Sequence, residues 1–141
     1  MYKIVRWLKR NPSLTQEEFK QRWLAGLANA GKGGSPIRKL VLSFSTGEVA
    51  LGGDASPFDL MVVAYFDHLD QLPQVLSGAA ADELQPCGDS LIDVDAGVTE
   101  ILADETLMAA REGAEGELSR FGQLKVARTV YKRNDITTAQ F

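Results

Sequence analysis

Residues 59–66 read DLMVVAYF. After Asp59 the run is apolar without alternation, the pattern of a strand buried on both faces. A strand of that kind needs a partner strand on each side and a layer against each face. This one segment therefore commits the chain to a sheet with this strand at its centre.

The neighbouring segments supply the rest of the sheet. Tyr2 to Lys9 combine β-branched and aromatic residues, with Ile4 and Leu8 on one face and Val5 and Trp7 on the other. Residues 37–45, IRKLVLSFS, alternate Leu40, Leu42 and Phe44 against Lys39, Val41 and Ser43. Residues 98–105, VTEILADE, form a fourth candidate strand. Between the first two strands, Pro12 ends the extended run, and Thr15 with Glu18 makes a capping box. Phe19, Trp23 and Leu27 then recur every four residues on one helix face, to about Ala30. GKGGSP at 31–36 stops that helix, with glycine as a left-handed cap. After the central strand, Asp67 is expected to cap a second helix, with Asp70 at N3. Leu69, Leu72, Val75 and Leu76 form its apolar stripe, and Pro73 delays or kinks it.

The order is β-α-β-β-α-β over the first hundred or so residues. That is the split βαβ, ferredoxin-like α+β arrangement: an antiparallel four-stranded sheet with helices on one face. Val41 and Val63 then point to the face without helices. A second sheet or subunit is expected to cover it, most simply in a homodimer. On the helix side, Trp23, Phe19 and Leu27, with Tyr65 from the third strand, are candidate walls of a pocket. Arg6 and Asp59 are its candidate cation and carboxylate. Arg6 has a second reading, as one half of a salt bridge between subunits if it lies on the bare face.

Composition narrows the function classes. The chain of 141 residues carries a net charge of −4, which lacks the basic footprint of a nucleic-acid binder. The aromatic pattern of RNA-recognition sheets is missing too. No apolar run is long enough to span a bilayer, and the N-terminus has no apolar signal region. The single cysteine, Cys87, excludes an intrachain disulfide and suits a reducing compartment, so the expectation is a soluble, cytoplasmic protein. Other motifs are weaker than they look. GLANAGKGG lacks the Ser or Thr of a phosphate-binding loop and follows a helix. His68, the only histidine, reads as an exposed first-turn residue without metal-ligating neighbours. DVDAG at 93–97 lacks calcium-loop spacing, and NPS at 11–13 has proline in the glycosylation slot.

The opening strand with LKRNPSLTQEEF, the tryptophan at Trp23, SPFDLMVVAYFDHLDQL and the acidic ADE near residue 105 follow one another in a distinctive order. In this the chain resembles the EthD-like family of the dimeric α+β barrel superfamily, over about residues 2–105. The resemblance implies a ferredoxin-like domain at 1–105 whose sheet packs on a second sheet. It implies a small hydrophobic or aromatic organic ligand and no metal or organic cofactor. It also leaves two function classes open: a cofactor-independent oxygenase- or isomerase-type enzyme, and a non-catalytic small-molecule-binding or barrel-completing module. Such proteins commonly carry a histidine four residues after the helix tryptophan. Here that position is Leu27, which cannot exchange a proton near neutral pH.

The remaining segment, 106–141, reads as a linker helix (106–118), a strand (123–133) and the start of a third helix. At an offset of 122 residues, Lys3, Arg6, Thr15 and Phe19 recur as Lys125, Arg128, Thr137 and Phe141. Thr137 and Gln140 repeat the capping box. The extension is thus expected to be the beginning of a second, tandem unit and the chain a fragment of a longer protein, or else a C-terminal strand that pads a sheet edge in its own or a partner subunit.

Overall fold

The computed structural model describes residues 1–30, 33–47 and 56–104. These belong to one compact unit, Met1–Leu107. The linker helix, fifth strand and third helix expected over 106–141 lie outside the described residues.

Four strands form the sheet: β1 (Tyr2–Leu8), β2 (Lys39–Phe44), β3 (Leu60–Phe66) and β4 (Thr99–Asp104). Their order is β2-β3-β1-β4, and every neighbouring pair is antiparallel. The apolar strand is internal, as its composition requires. With one main helix between β1 and β2 and short helices between β3 and β4, the architecture is α+β and ferredoxin-like.

The helix α1 (Gln16–Asn29) begins where the sequence places it. Thr15 is extended, its Oγ1 accepts from the Glu18 N–H at 3.2 Å, and the Glu18 carboxylate accepts from the Thr15 N–H at 2.8 Å. These two bonds satisfy donors that a helix start otherwise leaves open. At the other end Ala30, in extended conformation, closes the helix with its N–H on the Leu27 carbonyl at 3.1 Å. The expected glycine cap at Gly31 falls outside the described residues.

The second helical region departs from the sequence expectation. Instead of one helix capped by Asp67, there is a 3-10 turn at Leu69–Gln71, a single helical turn α2 (Leu72–Val75) and a short helix α3 (Gly78–Leu84). Pro73 sits in the first turn of α2, where its missing N–H costs nothing, and Gly78 with φ +56° redirects the chain at the start of α3. Asp67 does not cap. Its carboxylate is held by Arg38 Nε at 2.6 Å, and the Gln71 side chain accepts from the Asp67 and His68 N–H groups instead, at 3.1 and 3.0 Å.

Side-chain parity divides the sheet into two faces. Ile4, Leu8, Leu60, Val62, Ala64 and Phe66 turn to the helix side, where Phe19 and Trp23 of α1, Val75 and Leu84 complete the core. The opposite face presents Lys3, Val5 and Trp7; Met61, Val63 and Tyr65; Lys39, Val41 and Ser43; and Thr99, Ile101 and Ala103, as the strand registers dictate. Val63 and Val5 are 4% and 9% exposed, yet neither belongs to the helix-side core cluster.

Candidate functional site

The residues singled out from the sequence occupy three separate places. Trp23 and Phe19 are fully buried under α1, their rings 5.5 Å apart, and Phe19 meets Phe44 edge-on at 6.1 Å. Leu27, one turn further along, is half-buried. Phe19 and Trp23 pack as core, and the indole Nε1 of Trp23 has no hydrogen-bond partner there. A buried N–H without an acceptor loses its hydration and gains nothing in return.

Arg6 lies on the helix side of β1, not on the bare face. Its guanidinium is fully engaged with other chain atoms. Nε donates to Glu100 Oε2 at 2.7 Å, Nη2 meets the same oxygen at 2.5 Å, and Nη1 donates to Gln85 Oε1 at 3.4 Å. Gln85 in turn donates to Asp89 at 2.8 Å and to the Gly88 carbonyl at 3.2 Å. The network ties the edge strand β4 to the turn after α3. A salt bridge from Arg6 across the bare face is excluded by this placement.

Tyr65 stands on the opposite face of the sheet from Trp23. Lys3 and Lys39, from the strands on either side, lie over its ring at 5.8 and 5.4 Å. Each such contact is attractive through the quadrupole of the ring. Tyr65 therefore does not share a wall with Phe19, Trp23 and Leu27.

Asp59 begins a different site. In an antiparallel pair, the end of β1 and the start of β3 are neighbours, so a charge just before β3 meets one just after β1. Asp59 Oδ2 accepts from the Arg10 backbone N–H at 2.9 Å, and Oδ1 lies 3.5 Å from Arg10 Nε. Arg10 Nη1 also donates to the Leu14 carbonyl. A cleft of about 330 Å³ opens here, lined by Lys9, Arg10, Pro12, Ser56 and Asp59. Sequence reading named Asp59 and missed Arg10. The signal was present as opposite charges at the facing ends of two adjacent strands.

Two further features frame the site region. Gly26 lets α1 approach the turn at Pro86–Cys87: a Cβ added there would lie 2.7 Å from Cys87 Sγ and 3.0 Å from Pro86 Cβ. Among the described residues, no His, Cys, Asp and Glu cluster could hold a metal ion, and no helix is long and apolar enough to cross a membrane.

The fold has known counterparts. No family model matches the chain, and no curated protein matches it. Among solved structures, the chain is similar to a dimeric ferredoxin-like protein of unknown function from Thermobifida fusca YX, with 14% identity and a TM-score of 0.52, over 72% of this chain and 88% of that one. It is similar also to the protein At3g17210 from Arabidopsis thaliana, with 12% identity and a TM-score of 0.52, over 78% of this chain and all of that one. At such identities the likeness is one of fold.

Proposed function

We propose that this unit works by association, as a non-catalytic, EthD-like module whose helix-free face packs on a second copy to close a barrel of two sheets. The observation that carries the reading is the apolar row Val41, Val63, Val5 and Ile101. It runs across all four strands on the face that no described helix covers. Val63 and Val5 are already buried, so covering the row with a second sheet gains from the 40%-exposed Ile101 and the half-buried Val41, at roughly 25 cal/mol per Å² of apolar area removed from water. A closed two-fold dimer is the commonest way for a chain to do so. The Thermobifida fusca counterpart is itself described as dimeric, which supports the same reading.

The side chains best suited to catalysis are committed elsewhere. Arg6 is spent on Glu100 and Gln85, Asp59 on Arg10, and Trp23 is fully buried. At residue 27 an imidazole could move a proton, and leucine cannot. An enzyme acting on a small hydrophobic molecule by proton or oxygen chemistry would need such a group beside Trp23. The module reading accounts for the same residues as packing and pinning.

Sedimentation velocity on the whole 141-residue chain tests the proposal. The expected result is a dimer at micromolar concentration that dissociates in an Ile101→Lys variant of unchanged helical circular dichroism, Ile101 being the exposed member of the row. A stable monomer would overturn it, and would turn attention to residues of the same chain as the cover.

A further inference from the structure

We infer that the cleft at the end of β1 is a binding site for the carboxylate of a small organic acid. The Leu14 carbonyl holds the Arg10 guanidinium through Nη1, and Asp59 Oδ1 lies 3.5 Å from Nε, an ion pair that leaves the buried Nε without a hydrogen bond. Its remaining nitrogen, Nη2, has no partner among the described residues. A guanidinium anchored at Nη1 beside a carboxylate, with donors still unmet, is partly preorganised for an anion, because less side-chain freedom is lost when the anion binds.

The local charge favours an anion as well. Asp59 is already neutralised by Arg10, and the exposed Lys9 beside it has no ion-pair partner among the described residues. The cleft thus carries one surplus positive charge on a chain whose net charge is −4. Pro12 gives the cleft an apolar wall that an inorganic anion would not use. Ser56 is held as a local turn, its hydroxyl donating to the Phe58 carbonyl at 2.8 Å and accepting from the Phe58 N–H at 3.3 Å. A volume of about 330 Å³ suits a ligand of roughly the size of benzoate with room for its hydration. The site is shallow and one-sided, so binding is expected to be weak, with a dissociation constant on the order of millimolar.

Benzoate is the probe, in a titration of the ¹⁵N-labelled full-length chain followed by amide shifts. Saturable shifts at Arg10 and Asp59 are expected with benzoate and not with benzyl alcohol at equal concentration. Lys9→Met should weaken benzoate by roughly fivefold, the scale of one partly exposed charge pair, and added salt should do the same. Among the described residues the Lys9 side chain has no ion-pair partner, and its backbone carbonyl, which accepts from the Asp93 N–H at 2.8 Å, is kept in the variant, so the fold is expected to be retained. Absence of a saturable shift would overturn the inference, as would benzyl alcohol binding equally well or Lys9→Met binding benzoate unchanged. Inorganic phosphate shifting the same amides as strongly as benzoate would reduce the site to one for any anion, and would overturn the organic-acid assignment.

Discussion

Val62 and Val63 are adjacent in one strand and differ in almost nothing but direction. Val62 points into the layer between sheet and helices and is fully buried with Phe19, Trp23 and Phe66. Val63 points the other way, into a row of strand residues bordered by Lys3, Lys39 and Tyr65 on one side and by Trp7 and Met61 on the other. The first face is finished within the described unit, by an amphipathic helix delivered with its cap. The second is apolar at its centre, charged at one end, and has no described helix on it. One face makes the fold; the other, on our proposal, makes the assembly.

That contrast can be broken most sharply by placing one charge on each face in turn. Val62→Lys is expected to prevent folding altogether, because an unpaired ammonium would be buried among aromatic and aliphatic side chains. Circular dichroism should show loss of the native spectrum. Ile101→Lys, at a position of the other face that is 40% exposed in the single chain, should instead leave the unit folded and abolish its dimer. Equal unfolding by both would show that the two faces are not distinct in kind.

Trp23→Ala comes next in size. Removing a fully buried indole from the covered face should cost about 3–5 kcal/mol in denaturant unfolding. The orphaned Nε1 places the expectation at the lower end, since its loss relieves an unmet donor. Asp59→Ala should cost about 1–3 kcal/mol, because it strands the Arg10 N–H and releases the guanidinium that the chain holds in place. Thr15→Ala should cost about 1 kcal/mol by opening the capping box.

The smallest effect is one of pH. The backbone and side-chain hydrogen bonds from Thr15 hold the Glu18 carboxyl below its ordinary value of 4.5. A carboxyl with a lowered folded pKa stabilises the fold above its unfolded pKa, and that contribution disappears as pH falls through the folded value. Glu18→Ala should therefore flatten the acid limb of a melting-temperature profile below about pH 4.5 and leave its neutral region less changed in slope.

Much of the covered face was legible in the sequence. The partial alternation of β1, the alternation of β2, the unbroken apolar run of β3 and the Thr15–Glu18 box each state their structure locally. The second helical region was harder, because Leu69, Leu72, Val75 and Leu76 keep helical spacing across a proline and a glycine that break the backbone. Asp67 looked like a cap for the same local reason, and lost that role to Gln71 once Arg38 claimed its carboxylate. Candidate site residues were legible one by one and not as a set. Arg6 and Tyr65 belong to different strands, and strand parity puts them on opposite faces. The partner of Asp59, Arg10, lies far from it in sequence and comes close only through the β1–β3 register. The order of strands was readable, whereas the side-chain pairs depended on registers that no single segment reveals.

The central claim is that the helix-free face meets its like in a second copy. The direct test is an isotope-filtered NOE experiment on a mixture of methyl-labelled and unlabelled chains. The account predicts intermolecular contacts at the methyls of Val5, Val41, Val63 and Ile101. Intermolecular contacts confined to exposed helix-side residues such as Leu24 or Leu76, or none at all at a concentration where sedimentation shows a dimer, would contradict it.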